Sequence, residues 1–138
     1  MAHKRRVGVV GFGRMGKQIP DLFPSRNYEK VVSDTDPKSV EGSPFPVMGA
    51  IELAKISDIL ALCVPQDQTP KVVEEIGPYV NPNATVFYID SNQRMATPSL
   101  LDNLPPSVKI AGIHPPFCWR SSFPRKSRGI YSFKTRKF

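Results

Sequence analysis

The chain has only two cysteines, Cys63 and Cys118. Two such residues build neither a disulfide framework nor a cysteine-based metal site. Long apolar runs are also missing. The longest, Ile59 to Val64, is six residues, against roughly 20 for a membrane-spanning helix. The basic start Met1-Ala2-His3-Lys4-Arg5-Arg6 has the charge of a secretory leader, but the apolar stretch behind it is short and breaks into glycines. No secretory signal is read there. No internal repeat is visible either. The expectation is a cytoplasmic protein, off the membrane and without a bound metal.

Acidic residues are absent from the last part of the chain. Residues 117–138 carry seven Lys or Arg and no Asp or Glu, whereas residues 1–116 carry 12 of each sign. The formal charge of +7 therefore sits wholly in the tail and says nothing about the fold of the body. At 138 residues the chain is long enough for one domain with a real core and short for a two-domain enzyme. Prolines number 15, so many turns are expected.

Strand and helix signals alternate along the body. Arg6 to Val10 is a short β-branched run of the kind buried in parallel sheets. A helix is expected from about Arg14 to Phe23, kinked or cut short at Pro20. Lys30 to Ser33 reads as a strand, stopped by Asp34-Thr35-Asp36-Pro37, and Glu41 to Val47 reads as loop. A short helix near Gly49–Ile56 leads into Asp58 to Val64, the strongest strand. Thr69-Pro70 pairs a capping residue with proline at the first helical position, and Gly77-Pro78 stops that helix. Thr85 to Ile89 is a strand, Thr97-Pro98 opens a short helix, and Val108 to Ile113 is the last strand. This order predicts an α/β, Rossmann-type doubly wound fold: a mostly parallel sheet with helices on both faces. A single domain of this kind is expected over residues 1–117.

Gly11-Phe12-Gly13-Arg14-Met15-Gly16 matches the fingerprint of a dinucleotide-binding turn, and it follows one predicted strand and opens one predicted helix. Gly11 permits the tight turn, Gly13 lets the backbone approach a pyrophosphate, and Gly16 lets the helix pack closely. Arg14 and Met15 complete the turn, whose N–H groups face the phosphates. Asp34 lies 21 residues after Gly13 at the end of the second strand. A carboxylate there accepts hydrogen bonds from the adenosine ribose, which favours NAD. NADP is the second choice, because Lys38 is near, and Asp36 is an alternative to Asp34. Ligands of such sheets lie across the carboxyl ends of the strands, so Val64, Pro65, Asp90, Ser91, Asn92 and His114 are expected to share one crevice. Cys63 is read as a core residue.

Val7 to Gly16, the turn Asp34 to Pro37, Ser57 to Pro65 and Gly112-Ile113-His114-Pro115-Pro116-Phe117 together resemble the cofactor domain of prephenate and arogenate dehydrogenases. The resemblance covers about residues 5–117, and the His-Pro-x-Phe stretch is its more specific part. It implies oxidative decarboxylation of prephenate or arogenate in tyrosine biosynthesis, with His114 taking the proton of the ring hydroxyl while NAD accepts a hydride. An imidazole with an ordinary pKa of about 6.5 suits that task. The family's Asp-x-x-Ser-x-Lys pattern is met only at Asp90, with Gln93 and Met95 at the serine and lysine places. The family also continues into a helical domain that dimerises and completes the substrate pocket, where this chain runs on for about twenty residues. Weak NAD binding and little or no turnover are therefore expected of the chain alone, with a dimer expected only if a second domain is supplied elsewhere. The alternatives are the cofactor domain of another small-acid or imine dehydrogenase, and an NAD-binding fragment without catalysis. The tail, residues 118–138, mixes basic and aromatic residues without a helical or strand period. It is read first as a disordered end or truncation scar, with a binding tail for nucleic acid or an acidic partner and a segment that docks back on the domain as the alternatives.

Overall fold

The computed structural model describes residues 4–89 and 102–113. Within them the aliphatic runs become five strands: β1 (Arg5–Val10), β2 (Tyr28–Ser33), β3 (Ile59–Leu62), β4 (Thr85–Ile89) and β5 (Lys109–Ile113). Every residue of β3 is buried, as a strand covered on both faces requires. The strands pair in parallel throughout, in the order β2-β1-β3-β4-β5. Val9 stands in register with Val32 on one side and Ala61 on the other.

Alternation along the strands divides the core in two. Leu60 and Leu62 pack with Val86, Tyr88 and Ile110 against Leu53, Val73 and Ile76 of the helices α2 (Ala50–Ile56) and α3 (Thr69–Ile76). Ile59 and Ala61 face the other way, with Val7, Val9 and Val32 under Phe12 and Ile19. A one-turn helix, α1 (Pro37–Val40), follows β2. Elements therefore cover both faces, and the doubly wound α/β architecture stands as the alternation predicts. No described helix is long and apolar enough to cross a membrane.

Three details differ from expectation. Arg14 to Phe23 forms two 3-10 turns, Gly16–Gln18 and Pro20–Leu22, rather than one α-helix. Pro20 has no N–H to donate and opens the second turn, with Ile19 joining the two. The second difference is in the loop after Glu41, which carries a bridge from Val32 to Val47. Val32 N–H donates to the Pro46 carbonyl (2.9 Å) and Met48 N–H donates to the Val32 carbonyl (3.1 Å). Counted as a vestigial strand, that bridge makes six strands in the spatial order 3-2-1-4-5-6 of dinucleotide-binding sheets. Pro46 offers no ladder donor, which keeps it short. Third, Thr69 does not cap α3. It is the helix's first residue, and its buried hydroxyl donates to the Pro65 carbonyl at 3.5 Å. Of the helix expected after Thr97, only Asp102 and Asn103 are described as helical, and the domain boundary near residue 117 lies outside the described residues.

Candidate functional site

The site begins where β1 ends. Gly11 follows Val10 with φ +92°, a conformation that L side chains rarely adopt. A Cβ there would also lie 2.7 Å from the Cys63 carbonyl oxygen and 2.9 Å from the Val64 nitrogen. Gly11 N–H donates to the Ser33 carbonyl (2.8 Å), and Cys63 N–H donates to the Val10 carbonyl (2.7 Å). The turn is thus clasped between the ends of β2 and β3, at the point where the strand order reverses. Ligands of open parallel sheets gather at that point.

The other two glycines answer different demands. A Cβ on Gly16 would collide with the carbonyl oxygen of Gly11, so the chain after the turn folds directly back on it. Gly13 has nothing within 4 Å of where a Cβ would stand. The N–H groups of Gly13, Arg14 and Met15 meet no acceptor among the described residues. A row of free N–H groups beside open space is suited to an anion. The short 3-10 turns behind it add little macrodipole, so the N–H groups themselves must supply the attraction. Arg14 is exposed, and Met15 packs on the core cluster of Val7, Val9 and Phe12.

Asp34, at the end of β2, reaches this turn. Its Oδ2 accepts from Phe12 N–H at 2.7 Å and its Oδ1 accepts from Asp36 N–H at 2.8 Å. A carboxylate has about four lone-pair sites, so each oxygen can take a further donor. Asp36 is engaged elsewhere: it caps α1, accepting from Lys38 N–H at 3.0 Å. Of the two carboxylates left open by the sequence, Asp34 is the one joined to the glycine turn.

At the end of β3, Val64 is half-buried against the α2–α3 core and Pro65 is exposed. The Pro65 carbonyl accepts from Gln68 N–H at 2.8 Å. Cys63 is a free, partly buried cysteine packed against the core cluster of Val7, Val9 and Phe12, and burial pushes its thiol up to about 12. It packs against that cluster, as the sequence leads one to expect. Asp90, Ser91, Asn92 and His114 lie outside the described residues. In the chain they follow Ile89 and Ile113, the register-paired last residues of β4 and β5. No cluster of three or more metal-ligating side chains occurs among the described residues.

Sequence reasoning overlooked Phe12 and Phe45. Phe12, the residue between the first two glycines, is 4% exposed and meets Phe45 edge to face, with ring centroids 6.4 Å apart and planes at 88°. The available signal was an aromatic inside the fingerprint and another in a loop otherwise made of turn formers.

No family model and no curated protein matches the chain. Solved structures do. Arogenate dehydrogenase from Synechocystis superposes with a TM-score of 0.64 at 23% identity, covering 80% of this chain and 40% of that one. Prephenate dehydrogenase from A. aeolicus, solved with hydroxyphenyl propionate and NAD+, gives 0.61 at 17%, covering 83% and 43%. A semialdehyde dehydrogenase NAD-binding protein from Cupriavidus necator, solved with calcium and NAD, gives 0.64 at 19%, covering 94% and 48%. The chain thus spans less than half the length of each of these proteins. At such identities the likeness carries the fold and no single chemistry: this chain has the Rossmann fold found in part of each of these dehydrogenases.

Proposed function

We propose that this chain is the NAD-binding unit of an oxidoreductase acting on prephenate or arogenate. One juxtaposition carries the cofactor half of the reading: Asp34 is bonded to Phe12 N–H in a turn whose next residue, Gly13, faces open space. The residues present fit the cofactor. The free N–H groups of Gly13, Arg14 and Met15 would hold the pyrophosphate, with Gly11 and Gly16 shaping the turn. The unused lone pairs of Asp34 would accept from the ribose hydroxyls. A 2′-phosphate would meet that carboxylate as a like charge, so NAD is preferred over NADP. Val64, Pro65, Ser91 and Asn92 would flank the nicotinamide half across the carboxyl ends of the strands. When bound, NAD supplies a hydride acceptor.

The substrate half rests on the stretch Gly112-Ile113-His114-Pro115-Pro116-Phe117 and its resemblance to the tyrosine-pathway dehydrogenases. His114 would hydrogen-bond the ring hydroxyl and take its proton as the ring carboxylate leaves and the product becomes aromatic. The partners in this reading are small molecules, the location is the cytoplasm, and dimerisation accompanies the complete enzyme. The test is a titration of nicotinamide fluorescence with NADH, followed by addition of prephenate or arogenate to the NAD-loaded chain. Enhanced emission on binding, and a heat of binding for prephenate or arogenate that disappears in His114→Ala, are expected. No emission change for NADH would end the cofactor reading. Equal binding of both acids by wild type and His114→Ala would end the substrate reading.

A further inference from the structure

The glycine turn lacks the long helix that would ordinarily anchor it, because Pro20 divides that helix into two short 3-10 turns. Beyond the bonds that Gly11 and Phe12 make to the end of β2, the ring of Phe12 gives the turn a further support. Phe12 is buried, and its ring meets the edge or face of Phe45 at a centroid distance of 6.4 Å. Phe45 is itself fixed on both sides. The Ser43 hydroxyl accepts from Phe45 N–H (3.0 Å) and donates to the Phe45 carbonyl (3.1 Å). The next residue, Pro46, accepts from Val32 N–H, and Met48 N–H donates back to Val32. Beneath, the Lys30 ammonium stands 5.9 Å from the Phe45 ring centroid while donating to the Ser25 hydroxyl (2.8 Å). Lys30 is 8% exposed and forms no salt bridge among the described residues, so the ring and the hydroxyl are its surroundings. Cation–ring and ring–ring contacts of this kind are directional as well as apolar.

We propose that Phe45 is a positioning residue for the cofactor turn: through the ring of Phe12 it sets where the Phe12 N–H meets Asp34 and where the free N–H groups of Gly13, Arg14 and Met15 point. This rests on the nucleotide-binding reading above. A loop distant in sequence from the fingerprint thereby does the work of the missing helix. Its effect falls on the phosphate-holding part of the site and leaves the sheet untouched.

The experiment compares the full chain with Phe45→Ala, Phe45→Leu and Phe45→Tyr in two measurements. The first needs no ligand: amide hydrogen exchange at Phe12, with Val9 and Leu60 as core references. Exchange at Phe12 is expected to quicken about fivefold or more in the Ala and Leu variants and to return toward wild type in Tyr, with the references unchanged. The second is calorimetric titration with ADP and with adenosine. Phe45→Leu is expected to weaken ADP about fivefold while adenosine changes by less than about twofold. Unchanged exchange at Phe12 would overturn the proposal, as would equal loss of ADP and adenosine, the mark of a general loss of structure. Should Phe45→Ala not fold, the Leu and Tyr variants decide. A wild-type chain that binds neither ligand, with the exchange result still as expected, would refute the nucleotide reading and leave the positioning of the turn standing.

Discussion

Asp34 and Phe12, 22 residues apart in the chain, are joined by a 2.7 Å hydrogen bond from the Phe12 N–H to the carboxylate. The bond ties the end of β2 to the turn after β1. It also fixes the carboxylate before any ligand arrives, so little ordering is left to be done on binding.

Removing that carboxylate therefore has two consequences. Asp34→Ala leaves the Phe12 N–H and the Asp36 N–H without their acceptor and should cost about 1–3 kcal/mol of stability, since hydrogen bonds to charged groups lie in that range. The same variant should lose NAD affinity by about tenfold or more. Urea melts and fluorescence titration of NADH measure the two separately. Unchanged affinity in a destabilised protein would remove Asp34 from the ribose site and leave it a structural residue.

The three glycines should separate by phenotype. Gly13→Ala adds a methyl where nothing stands within 4 Å, so the protein should melt within about 1 kcal/mol of wild type while losing NAD binding. Gly11→Ala and Gly16→Ala would press on backbone atoms of Cys63 and Gly11 and should destabilise by about 2 kcal/mol or more. A destabilised Gly13→Ala that still binds NAD would reverse the assignment.

Cys63 gives a pH prediction. Burial raises its thiol from 9.0 to about 12, so the folded protein holds the proton more tightly than the unfolded chain. Its contribution to stability is complete below pH 9 and is lost as pH rises from there toward 12. In a Cys118→Ser background, labelling by a thiol reagent at pH 8 should be slow and should accelerate in denaturant. Rapid labelling of the folded protein would show an accessible thiolate.

Lys30 is a buried residue whose ammonium donates to the Ser25 hydroxyl and stands over the Phe45 ring. Methionine keeps the apolar stem and gives up only the hydroxyl hydrogen bond and the ring contact, so Lys30→Met should lower stability by no more than about 1–2 kcal/mol, measured by urea midpoint. A loss above about 2 kcal/mol would mean that the ammonium has a stronger partner.

Much of this was legible in the residues. The five strands stand where short β-branched and aliphatic runs are flanked by turn formers, because a strand buried on both faces tolerates little else. Gly11, Gly13 and Gly16 each answer the demand their spacing suggests, although Gly16 packs on the Gly11 carbonyl more closely than on the strand. The choice between Asp34 and Asp36 was not legible, since both end the same strand and only the path of the chain makes one a cap. The split helix was half legible: Pro20 forbids a continuous ladder, but the replacement by two 3-10 turns depends on how the chain reaches Tyr28. Phe45 and the Val47 bridge were hidden, because a loop rich in proline and glycine shows no period that would mark one residue as an anchor. Ser91, Asn92 and His114 remain expectations of the sequence, lying outside the described residues.

In the proposed reading, the turn after β1 would hold NAD through Asp34 and the free N–H groups of Gly13, Arg14 and Met15. Calorimetric titration of the full chain with NAD and with NADP tests it most directly. The account predicts saturable binding of NAD, at least about tenfold tighter than NADP because a 2′-phosphate meets the Asp34 carboxylate. Binding of NADP as tight as NAD, or no saturable binding of either, would contradict it.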